Sequence, residues 1–140
     1  MIGTRKWVIP GLTCLYVVFL AVASLLPSGS NVLGGWDQSV TPTMQNALHV
    51  PAYAILQGMA MLCAWNSSRA PLLRTALWIA LACCAYGALL ECLQALIPGR
   101  AGSTADAVLN AVGVALGTAA AAMIRSGRAW SRPPGSPAGD

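Results

Sequence analysis

The sequence predicts an all-α membrane protein, a four-transmembrane-helix bundle with both termini in the cytoplasm. Three observations carry this. Charged residues make up 9% of the 140-residue chain and hydrophobic residues 56%, whereas a soluble domain carries about a quarter charged residues. Four apolar stretches each approach or exceed the roughly 20 helical residues that span a hydrocarbon core. The basic residues then fall almost entirely on one side of those stretches.

The first span covers residues 7–26 and stops at Pro27-Ser28-Gly29. Arg5 and Lys6 before it, and Ala21-Val22-Ala23 within it, also fit a cleaved signal peptide. The apolar run continues through Ser24-Leu25-Leu26 and is long enough to cross, so it is read as a retained span. The second span covers 43–65, and the third covers 72–97 between Pro71 and Pro98. The fourth, 104–124, is rich in alanine. Lipid offers no partner to a bare peptide group, so each span must be a helix. Together they make one domain over residues 1–125, and residues 126–140 are expected to form a disordered cytoplasmic tail.

Arg5, Lys6, Arg69, Arg74, Arg125, Arg128 and Arg132 lie on one side of the spans, and Arg100 alone lies on the other. That asymmetry places the first side in the cytoplasm. Trp7, Trp65 and Trp78 fall near the same helix ends, where an interfacial belt would put them. The outer loop over residues 28–42 is read as an irregular surface segment with Trp36 dipping into the interface. Scattered cations do not form the stripe that nucleic acid requires, so no nucleic-acid partner is expected. Cys14, Cys63, Cys83, Cys84 and Cys92 are odd in number, lack a CxxC pair and sit in apolar runs. They are read as small hydrophobes, with no metal set and no cofactor expected.

The polar residues within the spans point to a site, because ionisable groups inside a membrane are costly. His49 lies on span two, Glu91 and Gln94 on span three, and Asp106 and Asn110 on span four, with Arg100 in the loop between the last two. At 1.5 Å of rise per residue, His49, Glu91 and Asn110 each lie roughly 10 Å below the outer helix ends. Residues three or four apart share a face, which pairs Glu91 with Gln94, Asp106 with Asn110 and His49 with Tyr53.

Each has a bland alternative. Ser103-x-x-Asp106 is a helix-capping pattern, Asn110 is a candidate interhelical glue, and Arg100 a candidate anchor at phosphate level. Glu91 is the hardest to dismiss, since a carboxylate that deep must be paired or protonated. Asn110, Gly113, Gly117 and Ala121 form a small-residue face on span four, read as an internal helix-packing seam. Pro51 removes a hydrogen bond to the Ala47 carbonyl, so a kink beside His49 is expected.

These residues resemble the VanZ-like family of bacterial membrane proteins. The matching pieces are His49-x-x-x-Tyr53, Gly87-x-x-x-Glu91-x-x-Gln94, Pro98-Gly99-Arg100, Asp106-x-x-x-Asn110 and Gly113-x-x-x-Gly117, over residues 45–117. The resemblance implies a multi-pass protein of the bacterial cytoplasmic (inner) membrane, belonging to the cell envelope. The family is named for a protein linked to low-level resistance to the glycopeptide antibiotic teicoplanin. Its histidine, glutamate, glutamine, arginine, aspartate and asparagine correspond to His49, Glu91, Gln94, Arg100, Asp106 and Asn110. The family often has an acid four residues before the histidine, where this chain has Gln45.

Three functions compete. The leading one is a pocket in the outer leaflet that binds, or acts on, a lipid-linked envelope component. Arg100 would meet its phosphate or carboxylate, and Glu91 with His49 would handle protons. No nucleophile motif accompanies them, so no reaction is named. The second is a scaffold acting through partner proteins, with the polar cluster fixing helix register. The third, ion or proton transport, lacks polar residues to complete a path through the inner half, apart from Asn66, Ser67 and Ser68 at the rim.

Overall fold

A computed structural model describes residues 5–26, 42–67, 72–97 and 102–130. Four helices follow one another: α1 (Arg5–Leu25), α2 (Pro42–Ser67), α3 (Leu72–Gln94) and α4 (Thr104–Trp130). Each is long and apolar enough to cross a membrane. Arg100, Pro98-Gly99, Arg69, most of the outer loop with Trp36, and the tail from residue 131 lie outside the described residues.

The helix ends depart from the sequence reading in two places. The helical part of α3 stops at Gln94, and residues 95–97 form a turn in which Ala95 N–H donates to the Glu91 carbonyl at 3.1 Å. At the other end, α4 continues to Trp130, so residues 126–130 are helix and not tail. Nothing in Arg125-Ser126-Gly127-Arg128-Ala129 breaks a helix, and the first proline beyond them is Pro133. Pro51 lies inside α2, which runs on through it as one continuous helix.

The outward faces carry Trp7, Leu15, Leu73, Leu77, Leu81, Leu96, Val108, Leu116 and Met123, all more than half exposed. In water such surface would drive aggregation; in lipid it is the natural covering. The inward faces form two clusters. Leu20, Tyr53, Leu56, Cys83 and Val114 make one, packed by Tyr16, Val17, Ile79 and Tyr86. Met61, Ala76 and Ala121 make the other, nearer the C-terminal end of α2, flanked by Trp65. All five cysteines are free thiols.

The most extensive interface joins α2 to α4, while α1 packs on α2 and α3. The seam rests on two glycines. A Cβ on Gly117 would lie 2.5 Å from the Ala54 carbonyl oxygen, and one on Gly113 would run into the Val50 carbonyl. Helices associate in lipid by van der Waals contact, so such close approach is itself the attraction. Asn110 and Ala121, the other members of that face, are also buried. The small-residue face is therefore an internal seam, as read from the sequence.

Two tyrosines tie α1 to the bundle. Tyr16 donates to the Ala52 carbonyl of α2 at 3.1 Å. Tyr86 of α3 donates to the Val17 carbonyl of α1 at 2.6 Å. Tyr86→Phe removes one bond and keeps the ring, so it should cost about 1 kcal/mol. Denaturation of the purified protein in detergent micelles measures this, and the loss should be carried by α1 detaching first.

Candidate functional site

The site lies where the C-terminal ends of α1 and α3 meet the N-terminal ends of α2 and α4. On α2, His49 and Tyr53 are one turn apart and face inward. His49 is partly buried and Tyr53 buried. On α4, Ser103 caps the helix: its Oγ accepts the Asp106 N–H at 3.4 Å, and its carbonyl accepts the Ala107 N–H at 3.2 Å. Asp106 thus sits in the first turn, where the positive end of the helix dipole favours a carboxylate. Its capping reading and its place in the cluster are compatible.

The layer predicted from helical rise is real at its centre. His49 Nδ1 and Asn110 Oδ1 are 2.8 Å apart, joining α2 to α4. An amide oxygen only accepts, so His49 Nδ1 carries the proton and donates. The other ring nitrogen, Nε2, faces Asp106 Oδ2 at 4.0 Å. Glu91 comes from α3: it is 8% exposed, and its Oε2 accepts the Ser103 N–H at 3.1 Å. One ligand-type atom from each of His49, Glu91 and Asp106 lies within 4.8 Å of the other two. Three helices therefore deliver an imidazole and two carboxylates to one place.

Asn110 closes the floor. It is 2% exposed, and its Nδ2 is buried without a hydrogen-bond partner. A Cβ on Gly87 would lie 2.9 Å from that Nδ2 and 3.0 Å from the Tyr53 hydroxyl oxygen. Gly87 thus opens the room that Asn110 and Tyr53 share.

Gln94 behaves differently from the sequence pairing. It is buried, but its Nε2 donates to the Ser24 carbonyl of α1 at 2.8 Å. Its amide serves the α1–α3 contact. Arg100 lies outside the described residues.

Two residues escaped the sequence reading. Gln57 is completely buried and donates from Nε2 to Thr118 Oγ1 at 2.9 Å. Thr118 in turn donates to the Val114 carbonyl. Gln57 continues the row His49–Tyr53–Gln57 at four-residue spacing, and Thr118 lies eight residues beyond Asn110. That periodicity was the available signal. Polar groups therefore do extend beyond the first turns of the helices, into a part of the bundle read from sequence as apolar apart from Asn66, Ser67 and Ser68 at its rim.

The family pattern VanZ/LLP1 matches residues 13–125. That stretch contains nearly all of the four helices and every member of the cluster. The chain belongs to the VanZ/LLP1 family. No curated protein and no solved structure matches it. Within this VanZ/LLP1 chain, His49, Glu91, Asp106 and Asn110 are the polar residues that the fold brings together.

Proposed function

We propose that this VanZ/LLP1 protein binds, or acts on, the polar headgroup of a lipid-linked envelope component through a pocket in the outer leaflet. The observation that carries the reading is the convergence of His49, Glu91 and Asp106, from three membrane-length helices, within 4.8 Å. Holding two carboxylates and an imidazole inside apolar helices opposes folding. A purely structural bundle would gain more from apolar packing at those positions.

The orientation follows from the basic residues, seven of eight of which fall in the sequence on the opposite side of the spans. Both termini are then cytoplasmic and the cluster faces outward, in the cytoplasmic membrane of a bacterium. Arg125 lies 5.9 Å from the Trp65 ring at the opposite end, a pairing suited to an anionic inner interface. On the outer side, Arg100 would meet the phosphate or carboxylate of the headgroup, offsetting the negative charge of Glu91 and Asp106.

The phenotype to read is glycopeptide susceptibility, because the family is named for a protein linked to teicoplanin resistance. In cells that depend on this protein for such a phenotype, His49→Ala, Glu91→Gln and Arg100→Ala should each abolish it at normal membrane abundance. Full retention of the phenotype by all three would defeat the reading. A register role is the competitor, because the same contacts join α2, α3 and α4. It predicts that phenotype and melting temperature fall together.

A further inference from the structure

Across the centre of the cluster His49 Nε2 faces Asp106 Oδ2 at 4.0 Å, too far for a hydrogen bond. Asn110 Oδ1, 2.8 Å from Nδ1, occupies the other edge of the ring, which leaves Nε2 as the nitrogen turned to the carboxylates. Bonds of about 2.0–2.2 Å to a tetrahedral zinc set its ligand atoms roughly 3.4 Å apart, so His49 Nε2 and Asp106 Oδ2 would close by only about 0.6 Å around an ion. The Glu91 carboxylate, whose ligand-type atom lies within 4.8 Å, reaches the same point with about 1 Å of side-chain movement.

From this we propose that His49 Nε2, Glu91 and Asp106 hold a divalent metal ion, of the borderline class that accepts one imidazole and two carboxylates, such as Zn²⁺. Three protein ligands leave a fourth position open, the pattern of zinc sites that bind an exogenous oxygen. The surroundings are those of a metal site. His49 is oriented by Asn110 through its non-ligating nitrogen, as metal-bound histidines are oriented by an acceptor. Glu91 is steadied by the Ser103 N–H, and Asp106 is positioned by the capped first turn of α4. The ligands are also shielded: Glu91 is 8% exposed, and the His49 and Asp106 side chains are 20% and 13% exposed. None of this shows in sequence spacing, because each ligand comes from a different helix.

An ion there would offset the two carboxylates and present its open position to a phosphate or carboxylate oxygen. In that respect the proposal deepens the headgroup reading, but the ion is tested alone. Full-length protein in lipid-free detergent micelles, stripped with a chelator, is titrated with Zn²⁺ by calorimetry and with Co²⁺ by visible absorption. The expected result is one ion per chain, with Co²⁺ ligand-field bands and no thiolate charge-transfer band. His49→Ala and Asp106→Asn should weaken binding by about 100-fold or more, and Asn110→Ala by about 10–100-fold in protein whose melting curve shows it still folded. Asn110→Asp, which keeps the acceptor, should restore most of it. Cys92→Ser, at an exposed thiol, should bind as the wild type does. Should His49→Ala fail to fold, Glu91→Gln serves in its place, since its amide oxygen can still accept from Ser103. A wild type that binds no ion, that binds through thiolates, or that binds equally after folded cluster variants overturns the proposal. Ion binding without lipid binding defeats only the headgroup reading, and lipid binding without the ion defeats only this one.

Discussion

Gly113→Leu is expected to prevent the bundle from assembling. A Cβ alone at this position would run into the Val50 carbonyl and come within 3.0 Å of the Tyr53 Cβ. Backbone cannot give way as a flexible side chain can, so α2 and α4 would have to part. Overpacking costs about 1–3 kcal/mol where neighbours can shift, and here the branched side chain should exceed that range. The seam it opens is the largest in the molecule, and it carries the His49–Asn110 contact one turn away. Gly58→Ala is the matched control, because nothing lies within 4 Å of its Cβ. It should be neutral or stabilising by up to about 1 kcal/mol, since alanine is the better helix former. Thermal denaturation of the purified variants separates them. Equal melting of Gly113→Leu and wild type would show that the seam is not where it is described.

The second large effect concerns the pair His49 and Asn110. Asn110→Leu removes the acceptor of the His49 Nδ1–H and leaves a partly buried donor unpaired, a cost of about 1–3 kcal/mol. The same change also removes the orphaned Nδ2, which offsets part of that cost. The double variant His49→Leu/Asn110→Leu leaves no polar group at either position and should be more stable than the sum of the single changes by about 1 kcal/mol. Strict additivity in a double-mutant cycle would mean that the two side chains do not interact.

The fold was legible to a large extent, because lipid imposes a simple rule. Apolar runs of fixed length must be helices, and all four are. The depth of the cluster was legible for the same reason, since helical rise is constant and placed His49, Glu91 and Asn110 together. Partner choice was not. Gln94 lies three residues from Glu91 and shares its face, yet its amide reaches Ser24 on α1. Which helix α1 leans against is a tertiary fact that no local spacing encodes. The triad of ligand-type atoms was hidden likewise, because helix rotation about three axes decides it. Gln57 was legible and overlooked: it continues the His49–Tyr53 row by one more turn. The extension of α4 to Trp130 shows a weaker rule at work, since residues near a helix end follow propensity when no proline or glycine turn intervenes.

The central claim is that the cluster is a ligand site and not only a clamp between helices. Glu91→Gln tests it most directly, because glutamine keeps an acceptor for the Ser103 N–H while losing the charge. Native mass spectrometry of the protein purified from its own membranes measures lipid retained per chain, alongside a melting curve. The account predicts that the wild type retains an envelope lipid with an anionic headgroup, and that Glu91→Gln loses at least about 10-fold of it at a similar melting temperature, within about 1 kcal/mol of stability. Equal retention by both proteins, or a loss of lipid that only follows a loss of fold, would contradict it.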